Sequence, residues 1–350
     1  MMDEIKTEED ELRVFSASQI NKFYSCPRMW AYEYIEGLKP PPSYAMKKGT
    51  FVHAVVEEFN RDPGPPVAGG GKKAKNVLNE RINKKARELW QEGLPGKFEE
   101  EMKRNADKLK LQFQNYVNAF LRRFHQLKRR TKLSDEEAWD RSSPDANELT
   151  VRVTDADGNW LFGGGVDAIF EKHPLWFERT AIIDYKTGKS PFNSSSPLSV
   201  DYGRQLDVYG WLYYQAFGQV PEVAGIHFLA EPPQSSTAFV FKEIDPGTIE
   251  SVHLMLERVR ELTVSEDVEN YPRNEQFKWC HFQKKNGSEI KCDHWDYCLG
   301  DAELPEPPER DDDYRERDPR VVELRNPLDE QLLLSEHANP VFEPEPHLDE

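Results

Sequence analysis

Long apolar runs are missing from these 350 residues. No stretch approaches the roughly 20 consecutive apolar residues that carry a helix across a bilayer, so no membrane span is expected. The opening "MMDEIKTEEDELRVF" is acidic and lacks the apolar core of a secretory signal. The expectation is a soluble, cytoplasmic chain. No Gly-x-x-x-x-Gly-Lys-Ser/Thr phosphate loop occurs, which removes the helicase class. Internal repeats are absent. Cysteine is scarce: Cys26, Cys280, Cys292 and Cys298 are the four. No two of them form a Cys-x-x-Cys pair. In a reducing compartment, four cysteines speak more for metal than for disulfides.

An overall positive charge is lacking too. The chain carries −17, with 63 acidic against 46 basic residues. The acidity is uneven. Residues 301–350 hold 17 acidic and 5 basic residues, whereas residues 71–132 hold 18 basic and 7 acidic. A basic segment therefore lies inside the chain and an acidic, proline-rich tail outside it, so a nucleic-acid partner is not excluded. The tail has little to bury and reads as disordered, with a short docking segment at 321–334.

Periodicity orders the rest. Residues 1–14 read as a flexible N-terminus. Ser16 or Ser18 suits the cap of a helix starting near Gln19, which Pro27 interrupts. Residues 47–61 carry Phe51, Val55 and Phe59 four apart, a second helix. After a Gly/Pro connector, residues 75–130 read as helical, with a break at 93–96. Phe113, Tyr116, Phe120 and Phe124 share one face, which predicts core. Arg122, Arg123, Lys128, Arg129 and Arg130 along this region are candidate contacts to DNA phosphates, although a charge run is more often a solvated face. From 148 the period becomes two. "ELTVRVTDADGNWLFGGGVDAIFEK" reads as a hairpin turning at Asp157–Gly158, and "RTAIIDYKTG" as the next strand. A helix over 201–218, two strands and a late helix over 247–265 follow. The pattern predicts an α/β fold, a central mixed sheet flanked by helices.

The chemistry concentrates in "AIIDYKTGK", where an apolar strand ends in Asp184 and Lys186 on one face. Asp167, in the preceding strand, is a second acid. Two carboxylates on neighbouring strands suit Mg²⁺ or Mn²⁺, which take carboxylate and water oxygens. Lys186 could then steady phosphate charge or the attacking water. His53 and Glu57 lie one helical turn apart, as do Gln205 and Tyr209. Each has a plainer reading: a core histidine, a turn acid, a structural ion pair, an amphipathic helix.

Together, "SASQINKFYSCPRMWAYEYIEGL", "GTFVHAVVEEF", "GGVDAI", "IIDYKTGK" and "QLDVYGWLY" resemble, in order, the motifs of the RecB-like PD-(D/E)XK nucleases. The resemblance is nearest to the four-cysteine exonucleases, meaning the CRISPR-associated family and the AddB nuclease domain. It covers roughly 15–60 and 148–300. It implies a restriction-endonuclease-like core formed by 15–61 and 148–300, with 62–147 as a basic helical insertion. It further implies His53, Asp167 and Asp184 as metal ligands, with the Tyr185 carbonyl as a further one. Lys186 becomes the catalytic lysine, Gln205 and Tyr209 the helix pair beside it, and Glu57 a supporting acid. Where many relatives carry Glu, this chain has Asp184.

The resemblance also implies a 4Fe-4S cluster on Cys26, Cys280, Cys292 and Cys298. Eleven residues separate Cys280 from Cys292, wider than the family's spacing, and five separate Cys292 from Cys298, which matches. Structural Zn²⁺ is the competing reading, with His281 and His294 as spare ligands. The implied activity is a Mg²⁺- or Mn²⁺-dependent deoxyribonuclease, an exonuclease on single-stranded DNA ends serving recombination, repair or replication. The alternative is a weakly active or inactive DNA-end-binding module that partners a helicase or recombinase. An RNA-directed nuclease is a third reading.

Overall fold

Local signals start most helices where the sequence places them. The computed structural model describes residues 14–67, 71–154, 161–192, 199–276, 280–283, 289–299, 303–304 and 321–324. After a short strand β1 (Val14–Phe15), the Ser16 hydroxyl accepts from the Gln19 amide and opens α1 (Ala17–Ser25). Pro27, at the first turn of α2 (Pro27–Tyr34), divides it from α1. Ser43 caps α3 (Tyr44–Arg61). The long helical stretch resolves into α4 (Gly71–Gln91), α5 (Glu99–Arg104), α6 (Ala106–Arg130) and α7 (Asp135–Asp140). Its break falls where Gly93 and Gly96 take positive φ, as the sequence predicted. A second break at Asn105 carries no comparable signal.

The sheet then begins. β2 (Ala146–Thr154), β3 (Leu161–His173) and β4 (Arg179–Lys186) are followed by α8 (Val200–Phe217), which ends at Gly218 in the left-handed region. β5 (Val223–Phe228), β6 (Phe239–Glu243) and α9 (Pro246–Leu262) complete the core. The small hairpin β7 (His281–Gln283) and β8 (Glu289–Lys291), then α10 (Trp295–Cys298), lie near the described end. A final strand β9 (Val321–Leu324) comes from the acidic tail.

The main sheet runs β6-β5-β4-β3-β2-β9, with β1 beside β3. β2 and β4 pair antiparallel with β3; β4 and β5 pair parallel across α8. This is the expected α/β arrangement with a mixed sheet. The β2–β3 hairpin is present, while its Asp157–Gly158 turn lies outside the described residues. So do residues 1–13 and all of the tail except 303–304 and 321–324. Within the expected docking segment, Val321–Leu324 pairs in parallel with β2.

Two apolar layers sandwich the sheet. On one face α1, α2, α8 and α9 pack on Ile182, Ala224, Ile226 and Phe228. On the other, α3, α4 and α6 pack on Ala181, Ile183 and Tyr185. Phe113, Tyr116 and Phe120 lie in this second layer, as their spacing predicted. Segment 62–147 thus supplies most of one cover of the sheet. The alternation of β4 sends Asp184 and Lys186 toward the α8 face and Tyr185 toward α6.

Candidate active site

The site forms where α3, β2, β3, β4 and α8 meet. β3 and β4 are in register with Ala168 opposite Ile183, which brings Asp167 opposite Asp184. β2 and β3 are in register on either side of Glu148, which brings that residue opposite Asp167. Three carboxylates therefore stand on three adjacent strands.

His53 descends onto them from α3. Its Nδ1 lies 3.4 Å from a carboxylate oxygen of Glu148 and 3.4 Å from one of Asp167. Its Nε2 donates to the Tyr185 carbonyl at 2.8 Å. One ligand atom each from His53, Glu148 and Asp167 fall within 4.8 Å of one another, a spacing suited to one cation. Asp167 is further held by the Tyr185 amide, which donates to Oδ2 at 2.6 Å. Glu148 is the residue the sequence reading missed. It sits inside an ordinary alternating strand, and its positive φ of 48° is invisible in the sequence.

A second cluster adjoins the first. Lys186 Nζ contacts both oxygens of Asp184, at 2.9 and 2.8 Å. Gln205 Nε2 donates to Asp184 Oδ1 at 3.2 Å and to the Tyr209 hydroxyl at 2.8 Å. Asp184 is thus brought beside Asp167 but faces Lys186 and Gln205 rather than His53. The Tyr185 carbonyl is occupied by His53. Glu57 pairs with Arg61 at 2.7 Å, one turn along α3 and outside the ligand group.

Electrostatics mark the site as short of positive charge. Burial alone would lower the His53 pKa, yet the Asp167 and Glu148 carboxylates hold it well above the usual imidazole range. Burial raises the Asp167 carboxyl, and the charges of His53 and Lys186 more than offset this. Asp184 is pushed up to about 6, by burial first and the Asp167 charge as well, against the pull of Lys186. Burial would lower Lys186, but Asp184 and Asp167 raise it, so it is an ammonium at neutral pH. A proton on His53 sits where a divalent cation would satisfy the same carboxylates. Metal binding would release that proton.

Beyond Lys186 the chain enters a groove of about 390 Å³ lined by Lys48, Lys108 and Lys189. Burial and then the Lys108 charge lower the Lys48 ammonium. The α6 cations predicted to meet phosphates diverge. Arg129 and Arg130 are exposed, Lys128 pairs with Asp135 at 2.8 Å, and Arg122 donates to the Pro233 carbonyl. Arg123 is turned inward, 8% exposed, with its Nε donating to the Ser142 carbonyl.

The four cysteines converge although 254 positions separate Cys26 from Cys280. All four line one cavity, and none is in a disulfide. Two ties hold the N-terminal helices there. Arg28 Nε donates to the Tyr271 carbonyl at 2.7 Å, and Asn274 donates to the Ser25 carbonyl at 2.7 Å. Burial and the neighbouring thiols raise the Cys280 and Cys292 thiols, Cys292 to about 11. A positive centre among them would remove that cost. His294 has both ring nitrogens engaged, by Tyr297 at 2.5 Å and Glu33 at 3.3 Å. His281 lies by Glu289, 3.6 Å away.

The model of a family described as the PD-(D/E)XK nuclease superfamily matches residues 14–299. No curated protein matches the chain. Among solved structures, a crystal structure described as a "Putative exonuclease" from Eubacterium rectale aligns with 90% of this chain and 97% of that one. The identity is 13% and the TM-score 0.37.

Proposed function

The chain belongs to the PD-(D/E)XK nuclease superfamily, and on that premise we propose that it hydrolyses phosphodiester bonds of DNA from single-stranded ends, using Mg²⁺ or Mn²⁺. The observation that carries the reading is the convergence of His53, Glu148 and Asp167 within 4.8 Å, beside the Asp184–Lys186 pair. His53, Glu148 and Asp167 would hold the metal, with Asp184 completing its carboxylate surroundings. When bound, the metal supplies Lewis acidity toward the scissile phosphate.

The chain's own groups do the rest. Lys186 is charged, so it acts as a donor and not as a base, steadying the charge that develops on the phosphate oxygens. Gln205 and Tyr209 fix the Asp184 carboxylate, and through it Lys186. The Lys48–Lys108–Lys189 groove continues from the same strand end and suits the phosphates of a strand leading to the site. Arg129 and Arg130, exposed at the far end of α6, are a separate candidate contact for the strand's phosphates.

The cysteine cavity fits an iron–sulfur cluster held by Cys26, Cys280, Cys292 and Cys298. Four thiols with no disulfide suit it. The engagement of both His294 nitrogens weighs against a mixed Cys/His zinc site. Its role would be structural, joining α2 to the β7–β8 hairpin. Iron, sulfide and zinc analysis of protein purified without oxygen tests this; zinc without iron would replace the cluster.

The activity is tested on a panel of linear single-stranded DNA, duplex DNA, circular single-stranded DNA and single-stranded RNA, each with Mn²⁺ or Mg²⁺. The expected result is degradation of the linear single strand with the circle spared. Cutting of the circle would make it an endonuclease, and preference for RNA would change the substrate. Binding of DNA ends with no cutting under any condition would leave an end-binding module.

A further inference from the structure

On the sheet face away from Asp184 and Lys186, a cavity of about 370 Å³ lies between α6, β5 and the segment leading into β6. That volume is within the range of small-molecule sites. Two arginines, Arg122 and Arg123, line it, and no carboxylate is among its lining residues.

Two buried side chains there carry polar atoms without a hydrogen-bond partner among the described residues. Arg123 spends Nε on Ser142, but its Nη2 has no hydrogen-bond partner among the described residues. His227 is wholly buried, and neither ring nitrogen has a partner among the described residues. A buried polar group left unpaired is costly, and both side chains stand in this cavity's wall, so a polar ligand seated there would relieve that cost. The remaining wall is aromatic. The His227 ring stacks on Phe239 at 4.1 Å, Phe239 lies parallel to Phe241 at 6.0 Å, and Trp176 packs on Phe170 at 5.0 Å. Phe241, 44% exposed, stands at the mouth.

We propose that this cavity binds a nucleoside monophosphate, with the arginines taking the phosphate and the aromatic wall taking the base. A flat π-system, hydrogen-bonding edges and one anionic group match His227, the aromatics and the arginine pair. The choice of ligand rests on the proposed function, because a nuclease acting from ends releases mononucleotides. The cavity also adjoins the catalytic strand. The Tyr185 ring lines it, while the Tyr185 carbonyl accepts from His53.

The test is calorimetry on the full chain in EDTA, where neither metal nor cleavage contributes. dAMP and dTMP are compared with adenosine, inorganic phosphate and a 5′-phosphorylated oligonucleotide. The expected result is one-to-one binding of the monophosphates, with the other three at least about tenfold weaker. Arg122→Gln, at the exposed rim, and Ser236→Trp, which fills the mouth, should each weaken binding at least about tenfold. Asp184→Asn should leave it unchanged. Absence of monophosphate binding, equal binding of phosphate or oligonucleotide, or loss of binding in Asp184→Asn would each overturn the assignment. A protein that cuts nothing can still bind the monophosphate, and one that cuts can fail to, so the two readings fail separately.

Discussion

The glycines of "FGGGVDAIF" in β3 offer a sharp test of how α8 is seated. A methyl at Gly164 would lie 2.8 Å from Leu212 Cδ1 and 3.9 Å from Tyr209 Cε1. Carbon atoms prefer about 3.5–4.0 Å, so close to 1 Å must be found. Leu212 is wholly buried in the α8 layer, so its methyl can give way only by shifting against core neighbours. Overpacking of this kind costs about 1–3 kcal/mol. The stiffer unfolded chain returns about 0.4–1 kcal/mol. Gly164→Ala should therefore destabilise by about 1–2 kcal/mol. The neighbouring Gly165 is the control. A methyl there meets nothing nearer than Thr150 Oγ1 at 4.0 Å, and its φ is not left-handed. Gly165→Ala should be neutral or stabilising by up to about 1 kcal/mol. Urea unfolding of the metal-free protein reads the difference as separate midpoints with one common slope. Because α8 carries Gln205 and Tyr209, Gly164→Ala should also lose more nuclease activity than Gly165→Ala. Equal midpoints, or a more stable Gly164→Ala, would refute the close α8–β3 contact.

Three further outcomes follow. Glu148→Gln should cut Mn²⁺ affinity by about 10–100-fold, by analogy with the loss of a carboxylate supporting a metal site, and calorimetry measures it. Asp184 titrates near 6 in the folded chain against 3.8 unfolded, so the folded state binds its proton more tightly. Its ionisation should cost the metal-free protein up to about 3 kcal/mol as pH rises from about 4 through 6, and Asp184→Asn should remove that slope in urea titrations. Burial raises the Glu33 carboxyl, but hydrogen bonds from His294 and Lys22 leave it net lowered. Its stabilisation is present above pH 4.5 and lost as pH falls through the folded value. Glu33→Gln should cost about 2 kcal/mol at neutral pH, discounted because Lys22 is 27% exposed, and thermal unfolding reads it.

Much of the architecture was legible because local signals and burial agree. α3 and α8 carry clean helical spacing and serine caps, and β4 is apolar until its last residues. His53, Asp167, Asp184, Lys186, Gln205 and Tyr209 could be singled out because each is a chemistry-bearing side chain in a short motif and the motifs occur together in order. Glu148 escaped because its place depends on cross-strand register, which no single strand announces. Arg123 escaped because a charge run hides which of its members points inward. The role of segment 62–147 was equally hidden. Composition marks it as basic and helical, but only packing shows that Leu78, Met102 and Phe113 belong to the same apolar layer as Ile183.

The most direct measurement compares the parent with Asp184→Asn and Lys186→Ala on end-labelled single-stranded DNA, with Mn²⁺ and with EDTA. The parent should release label only with Mn²⁺ present. Both variants should be at least about 100-fold slower while still melting cooperatively. Variants that release label as fast as the parent, or a parent indifferent to EDTA, would contradict it.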